Sequence, residues 1–234
     1  MGFVGGDGAE RRVPLAEAAR LPLEDGLPAR AIVSRHGQRH LTGQWWSATD
    51  GRHVGFESWL ERDHLMLLDF DPAVTAIASQ PFWLSWTAAD GKARRHAPDY
   101  FARRADGTGI VMDCRPEEMR GKPRDQEAFA AARQASEAAG WEYRLAGGCD
   151  PVLAANVRWL AGYRHPRHRV PEVAARLLDA ASGPVPLMEL AGLAGDPLAV
   201  LPVLFCLLWR HELEVGLLVP LHPEAGVRAC GSCS

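Results

Sequence analysis

Hydrophobic positions along this chain follow two rhythms, and each predicts a different element. Phe56, Leu60, Leu67 and Leu68, with Trp59 and Met66 beside them, recur at helical spacing and predict a helix over 57–69. Asp71-Pro72 ends it, because proline disfavours helical geometry in the residue before it. Apolar runs then shorten to strand length: one strand begins over 74–77, and others cover 82–87 and 110–115. Asp90-Gly91 is a hairpin signal, so 92–100 pairs back on 82–87. The polar turn 104–107 could pair the Asp99 segment with the strand 110–115 in the same way. Asp125 can cap a helix over 126–139 that Gly140 ends, and 141–146 reads as a further strand.

Outside this stretch the pattern changes. Residues 1–29 begin Gly-rich and acidic; Pro14, Pro22 and Pro28 fragment a short helix over 15–23, which predicts a flexible leader. A helix over 151–163 leads out of the α/β region, and the basic run 164–169 reads as a linker. Helices over 171–181, 187–194 and 197–211 follow, then a strand-like 214–221 and a turn at 223–226. That is the order of a winged helix. Its would-be recognition segment, 201–209, is almost wholly apolar, with only Arg210 and His211 near its end. This argues against base-specific reading and leaves partner binding or packing open. The predicted division is a leader (1–29), an α/β domain (30–163), a winged-helix-like domain (164–222) and a flexible tail (223–234).

Composition narrows the class. With 47% hydrophobic and 24% charged residues the chain can bury a core and stay soluble. A net charge of −3 gives no global nucleic-acid signal, which leaves local basic patches to decide. No run of about 18 apolar residues predicts a membrane span, and the N-terminal residues lack the basic and apolar regions of a signal peptide. Five cysteines, an odd number and mostly scattered, fit a reducing, cytoplasmic setting. Cys230 and Cys233 form a CxxC without a second pair. Cys149 and His222 would have to complete a zinc site, the alternative being a frayed tail with two exposed thiols.

The candidate chemistry lies between Pro98 and Pro116. Pro98-Asp99 closes a basic run, and Asp113-Cys114-Arg115 sits on the apolar strand. Strand alternation puts Asp113 and Arg115 on one face and Cys114 on the other, where it should pack as a small apolar residue. If the two segments pair, two carboxylates and one cation converge, a set able to hold a hard divalent cation facing a phosphate. Basic residues that could meet DNA are Arg35 and Arg39 in the run 35–40, Arg95 before Asp99, and Arg120, Lys122 and Arg124 after the strand. Trp45 and Trp46 read as core or as a stacking platform. Glu57 and Glu61 lie one helical turn apart, and Ser58 with Glu61 also fits a capping box.

These residues resemble the PD-(D/E)xK nuclease signature, with Pro98-Asp99 as PD and Asp113-Cys114-Arg115 as (D/E)xK. With the flanking Phe56 to Asp63, Leu67 to Val74 and Gln80-Pro81-Phe82, the stretch is similar to TnsA-like endonuclease subunits of heteromeric transposases, over roughly 30–145. The resemblance implies a restriction-endonuclease-like α/β core, a central mixed sheet flanked by helices, followed here by the small winged-helix-like domain. It implies a Mg²⁺-dependent (or Mn²⁺-dependent) endonuclease that hydrolyses double-stranded DNA at transposon ends. Its partners would be a DDE-type transposase subunit and an ATPase regulator. It assigns Glu61, Asp99 and Asp113 as metal ligands, with Glu57 as second candidate for the helix position. Arg115 stands where the family has Lys. Arginine stays protonated and cannot act as a general base, though it can clamp a phosphate oxygen. Two alternatives stay open: a catalytically weakened or inactive nuclease-fold scaffold binding DNA and partner proteins, and a stand-alone defence or repair nuclease.

Overall fold

The computed structural model describes residues 1–32 and 42–231, and the chain divides after Gly148 into two compact units. In the first, strands β1 (Gly2–Val4) and β2 (Glu10–Arg12) form a hairpin, followed by 3-10 turns at Leu15–Arg20 and Leu23–Asp25. β3 (Gly43–Trp46) pairs antiparallel with β4 (His53–Phe56), and α1 spans Trp59–Phe70. Then come β5 (Val74–Ser79), β6 (Leu84–Thr87), β7 (Ala93–His96), β8 (Tyr100–Arg104), β9 (Gly109–Cys114), α2 (Pro123–Ala138) and β10 (Glu142–Ala146).

The central sheet has the order β10-β9-β8-β5. β5 and β8 are antiparallel, as are β8 and β9, whereas β9 and β10 run parallel and need the α2 crossover between them. Period-two alternation splits the core. Phe101 and Val111 pack with Trp141 and Ala132 on the α2 face, while Tyr100, Ala102, Ile110 and Met112 pack with Leu65 and Leu68 on the α1 face. This mixed sheet between helices is compatible with the restriction-endonuclease-like fold.

Several elements differ from the sequence reading. Residues 1–29 are built into the first unit. Phe3, Ala18 and Leu23 are buried, and Arg103 on β8 donates to both carboxylate oxygens of Glu24 (3.0 and 2.9 Å) and to Leu21 O (2.7 Å). The prolines that exclude an α-helix there precede the 3-10 turns instead. α2 begins at Pro123 rather than after Asp125. Proline at the first helical position needs no N–H partner, and Asp125 falls in the first turn, where its charge suits the helix dipole. The hairpin β3–β4 turns at Asp50-Gly51, with Gly51 at φ 70°, a hairpin signal of the same kind as Asp90-Gly91 that the sequence reading leaves unused; it puts Trp45 against the α1-face core.

The second unit, from Cys149, begins with α3 (Pro151–Ala161), which sequence reading attached to the α/β domain. Buried Asn156 explains the difference. Its Nδ2 donates to Leu217 O (2.9 Å) and Val219 O (2.7 Å), and its Oδ1 accepts from Leu221 N (3.1 Å). α4 (Pro171–Ala180), β11 (Val185–Pro186), α5 (Leu187–Ala194), α6 (Pro197–Trp209), β12 (Leu213–Glu214) and β13 (Gly226–Ala229) follow, with sheet order β11-β13-β12. The expected strand 214–221 shortens to β12, and part of the expected tail becomes β13. α6 is apolar because it is core: Val203 to Trp209 are all buried. Among the described residues no single helix is long and apolar enough to cross a membrane; α5 and α6 meet that length only as a pair bent by 117°.

Asp69, near the end of α1, ties the first unit's hairpin to that helix. It is buried and accepts from Trp45 Nε1 (2.8 Å), Ser47 Oγ (3.0 Å), Thr49 N (2.9 Å) and Thr49 Oγ1 (2.8 Å). Asp69→Ala removes the carboxylate that these four donors share. It should lower unfolding free energy by about 2–4 kcal/mol in urea titrations followed by tryptophan fluorescence, with Asp69→Asn losing less.

Candidate active site

The β8–β9 hairpin places the two signature acids. Tyr100 pairs with Met112, so Asp99 and Asp113 flank one rung of the ladder. Asp99 Oδ2 accepts the Cys114 amide at 2.7 Å, which fixes the carboxylate across the strand pair. Its carboxyl is enclosed by protein, although the residue as a whole keeps some exposure. Burial, then the charges of Glu61 and Asp113, push its pKa well above the ordinary value; the Cys114 amide and Arg30 oppose the shift. Glu61 is also raised, by burial first, against hydrogen bonds from Glu57 N and Ser58 and with added repulsion from Glu57. Asp99 therefore feels the charges of both Glu61 and Asp113.

Their oxygens do not share a common point. Asp113 is buried and engaged twice: His96 Nε2 lies 2.8 Å from Oδ1, and Tyr143 Oη donates to Oδ2 at 2.8 Å. Glu61 completes the capping box of α1. Its Oε2 accepts from Glu57 N (2.7 Å), its Oε1 accepts from Ser58 Oγ (2.9 Å), and Ser58 Oγ accepts from Glu61 N (3.2 Å). Glu57, the second candidate, forms a two-pronged ion pair with Arg30. Among the described residues no three His, Cys, Asp or Glu side chains are arranged to hold a metal ion as they stand. The donor set nevertheless fits a hard cation by charge. Asp99 and Glu61 are both burdened by neighbouring anions, a burden a divalent cation relieves.

The expected cation is placed differently from its sequence reading. Arg115 donates to Asp125 Oδ2 at 2.5 Å across the start of α2, and among the described residues its buried Nε has no hydrogen-bond partner. The guanidinium whose field reaches both Glu61 and Asp99 is that of Arg30. Cys114 packs against the α1-face core, away from Asp113, as alternation requires. Of the basic candidates, Arg120 is spent on backbone, donating to Arg115 O (3.0 Å) and Leu145 O (3.3 Å). Lys122 and Arg124 are exposed, and Arg95 stacks on Trp83 at 4.3 Å. Arg35 and Arg39 lie outside the described residues, as does Cys233. Cys230 is exposed and His222 pairs with Glu224 at 3.2 Å.

Sequence reading did not assign Arg30, His96 or Tyr143 to the site. His96 was legible as part of the run leading to Asp99. Tyr143 joins only through the parallel register, where it pairs with Val111, two residues from Asp113. Tyr143's own pKa is raised by burial and then by the Asp113 charge, so its hydroxyl stays a donor.

A mixed sheet between helices, with two acids at its β8–β9 rung, is compatible with a nuclease-like α/β domain. Its family is given by comparison: residues 71–147 match the model of the TnsA-like endonuclease N-terminal domain, so this segment is a TnsA-like endonuclease domain, of the kind related to Tn7 transposition. Asp99, Asp113 and Arg115 fall inside the matched stretch; Glu61 lies upstream of it. No curated protein matches the chain.

The raised pKa of Asp99 carries a sign. The folded state holds this proton above the pH at which the unfolded chain releases it. Stability therefore falls as pH rises from the ordinary aspartate value of 3.8 toward the raised folded value. In metal-free buffer Asp99→Asn should be more stable than wild type at pH 8, the difference vanishing near pH 4. Melting temperatures across that range check it.

Proposed function

We propose that this chain is a metal-dependent DNA endonuclease subunit of a TnsA-like heteromeric transposase, hydrolysing phosphodiester bonds at transposon ends. The carrying observation is the enclosed carboxyl of Asp99, held at the β8–β9 rung within reach of the Glu61 and Asp113 charges, with Asp99 and Asp113 inside the segment matched by the endonuclease family. Glu61, Asp99 and Asp113 are the residues that would hold Mg²⁺ or Mn²⁺, and such an ion supplies an activated water and neutralises phosphate charge. His96 and Tyr143 fix the orientation of Asp113. Arg115, anchored by Asp125, presents a fixed positive charge rather than a base. Double-stranded DNA is the substrate, a DDE-type transposase subunit the partner cutting the other strand, and an ATPase a regulator; the cytoplasm is the compartment. We read the second unit as winged-helix-like from α4 onward, from the order helix, strand, two helices and two strands. Its buried α6 serves packing rather than base reading.

A second reading has its own support. Acid oxygens already occupied by protein donors, and Arg115 tied to Asp125, suit an inactive nuclease-fold scaffold. Nicking of transposon-end DNA with Mg²⁺ or Mn²⁺, with and without the partner subunit, tests the enzyme. Asp99→Ala and Asp113→Ala should each cut at least about 100-fold more slowly while melting cooperatively. Variants that cut as well as wild type sink the assignment. Calorimetric titration with Mn²⁺ separates the readings, because a scaffold need bind none. Arg115→Lys should keep more activity than Arg115→Ala if the charge at this position assists cutting.

A further inference from the structure

The first unit carries a second polar concavity, on the far side of β7 from Asp113. Alternation along β7 sends Arg94 and His96 toward α2, where Arg94 lies 3.9 Å from Glu127 and His96 meets Phe129 and Asp113. Arg95, between them, takes the opposite face, next to Ser85 across the β6–β7 ladder and over the Trp83 ring. The β1–β2 hairpin closes the other wall. Gly2 and Trp83 exchange backbone hydrogen bonds (2.9 and 2.7 Å), which brings Arg11 and Arg12 of β2 to the same cleft of about 640 Å³. A single strand thus separates this cleft from the residue that contacts Asp113.

The cleft's charges are unevenly spent. Arg11 is neutralised by Asp7 at 2.6 Å. Arg12 and Arg95 are exposed and, among the described residues, make no ion pair; Arg95 has only the indole face beneath it. Glu10 is the one acid on the lining, against three arginines, and the Ser85 side chain borders it too. Unpaired guanidinium groups, one of them held flat by an aromatic ring, are donors suited to phosphate oxygens.

We propose that this cleft, built by the N-terminal hairpin and β6–β7, binds the phosphate backbone of the DNA through Arg12 and Arg95. The inference rests on the nuclease reading and adds a binding surface to it. Neutralised phosphates release counterions, so each contact contributes close to one unit to the slope of log K against log salt. Fluorescence anisotropy of a duplex of about 30 base pairs, across salt concentrations, gives the readout. The Arg12→Gln/Arg95→Gln double variant should bind more weakly and lose roughly two units of slope. Ser85→Glu, which removes no contact, should weaken binding several-fold with an unchanged melting temperature. Wild-type binding accompanied by unchanged affinity and slope in the double variant and in Ser85→Glu overturns the cleft alone. A wild-type chain that binds no duplex at any salt, with or without Mn²⁺, overturns the nuclease reading and the cleft with it.

Discussion

The hydrogen bond from the Cys114 amide to Asp99 is the constraint on which the site depends. It ties a carboxylate at the start of one strand to the backbone at the end of its neighbour, across the rung where Tyr100 faces Met112. The fold thereby forces an acid into a place where burial and two other acids oppose its ionisation. Such an arrangement costs stability when the group is charged. The core on both faces of the sheet, with Tyr100, Phe101, Ile110 and Val111 fully buried, keeps the rung from relaxing.

The same sheet sorts the remaining groups by face. Asp113, with His96 and Tyr143, belongs to the α2 side, and Glu61 arrives on α1 from the other side. Asp99 is where the two faces meet. Arg115 follows Asp113 onto the α2 face and is captured there by Asp125. The candidate groups therefore meet at a sheet end rather than on one surface, Glu61 carried by one helix and Asp125, which anchors Arg115, by another.

Much of this was legible in the chain, because its signals are local. The α1 stripe, the capping box at Ser58, the hairpin joining Asp99 to Asp113 and the helix before β10 all depend on residues close in sequence. What escaped were contacts set by long-range register or by shape. Tyr143 reaches Asp113 from thirty residues away, and Arg30 reaches Glu57 from twenty-seven. The N-terminal segment looked unstructured because its prolines forbid an α-helix, yet 3-10 turns and the Glu24–Arg103 pair hold it to the sheet. Asn156 likewise assigns α3 to the second unit by bonding to carbonyls some sixty residues on, which no local pattern announces.

The capping box at Ser58 has a mechanical corollary. Glu61 satisfies the Glu57 amide with the same carboxylate whose charge, of the two acids facing Asp99, weighs more on it. Any cation that recruited those oxygens would compete with the knot closing the first turn of α1 and would leave an N–H there needing a new acceptor. Filling those oxygens with a cation would therefore be coupled to loosening of that helix end.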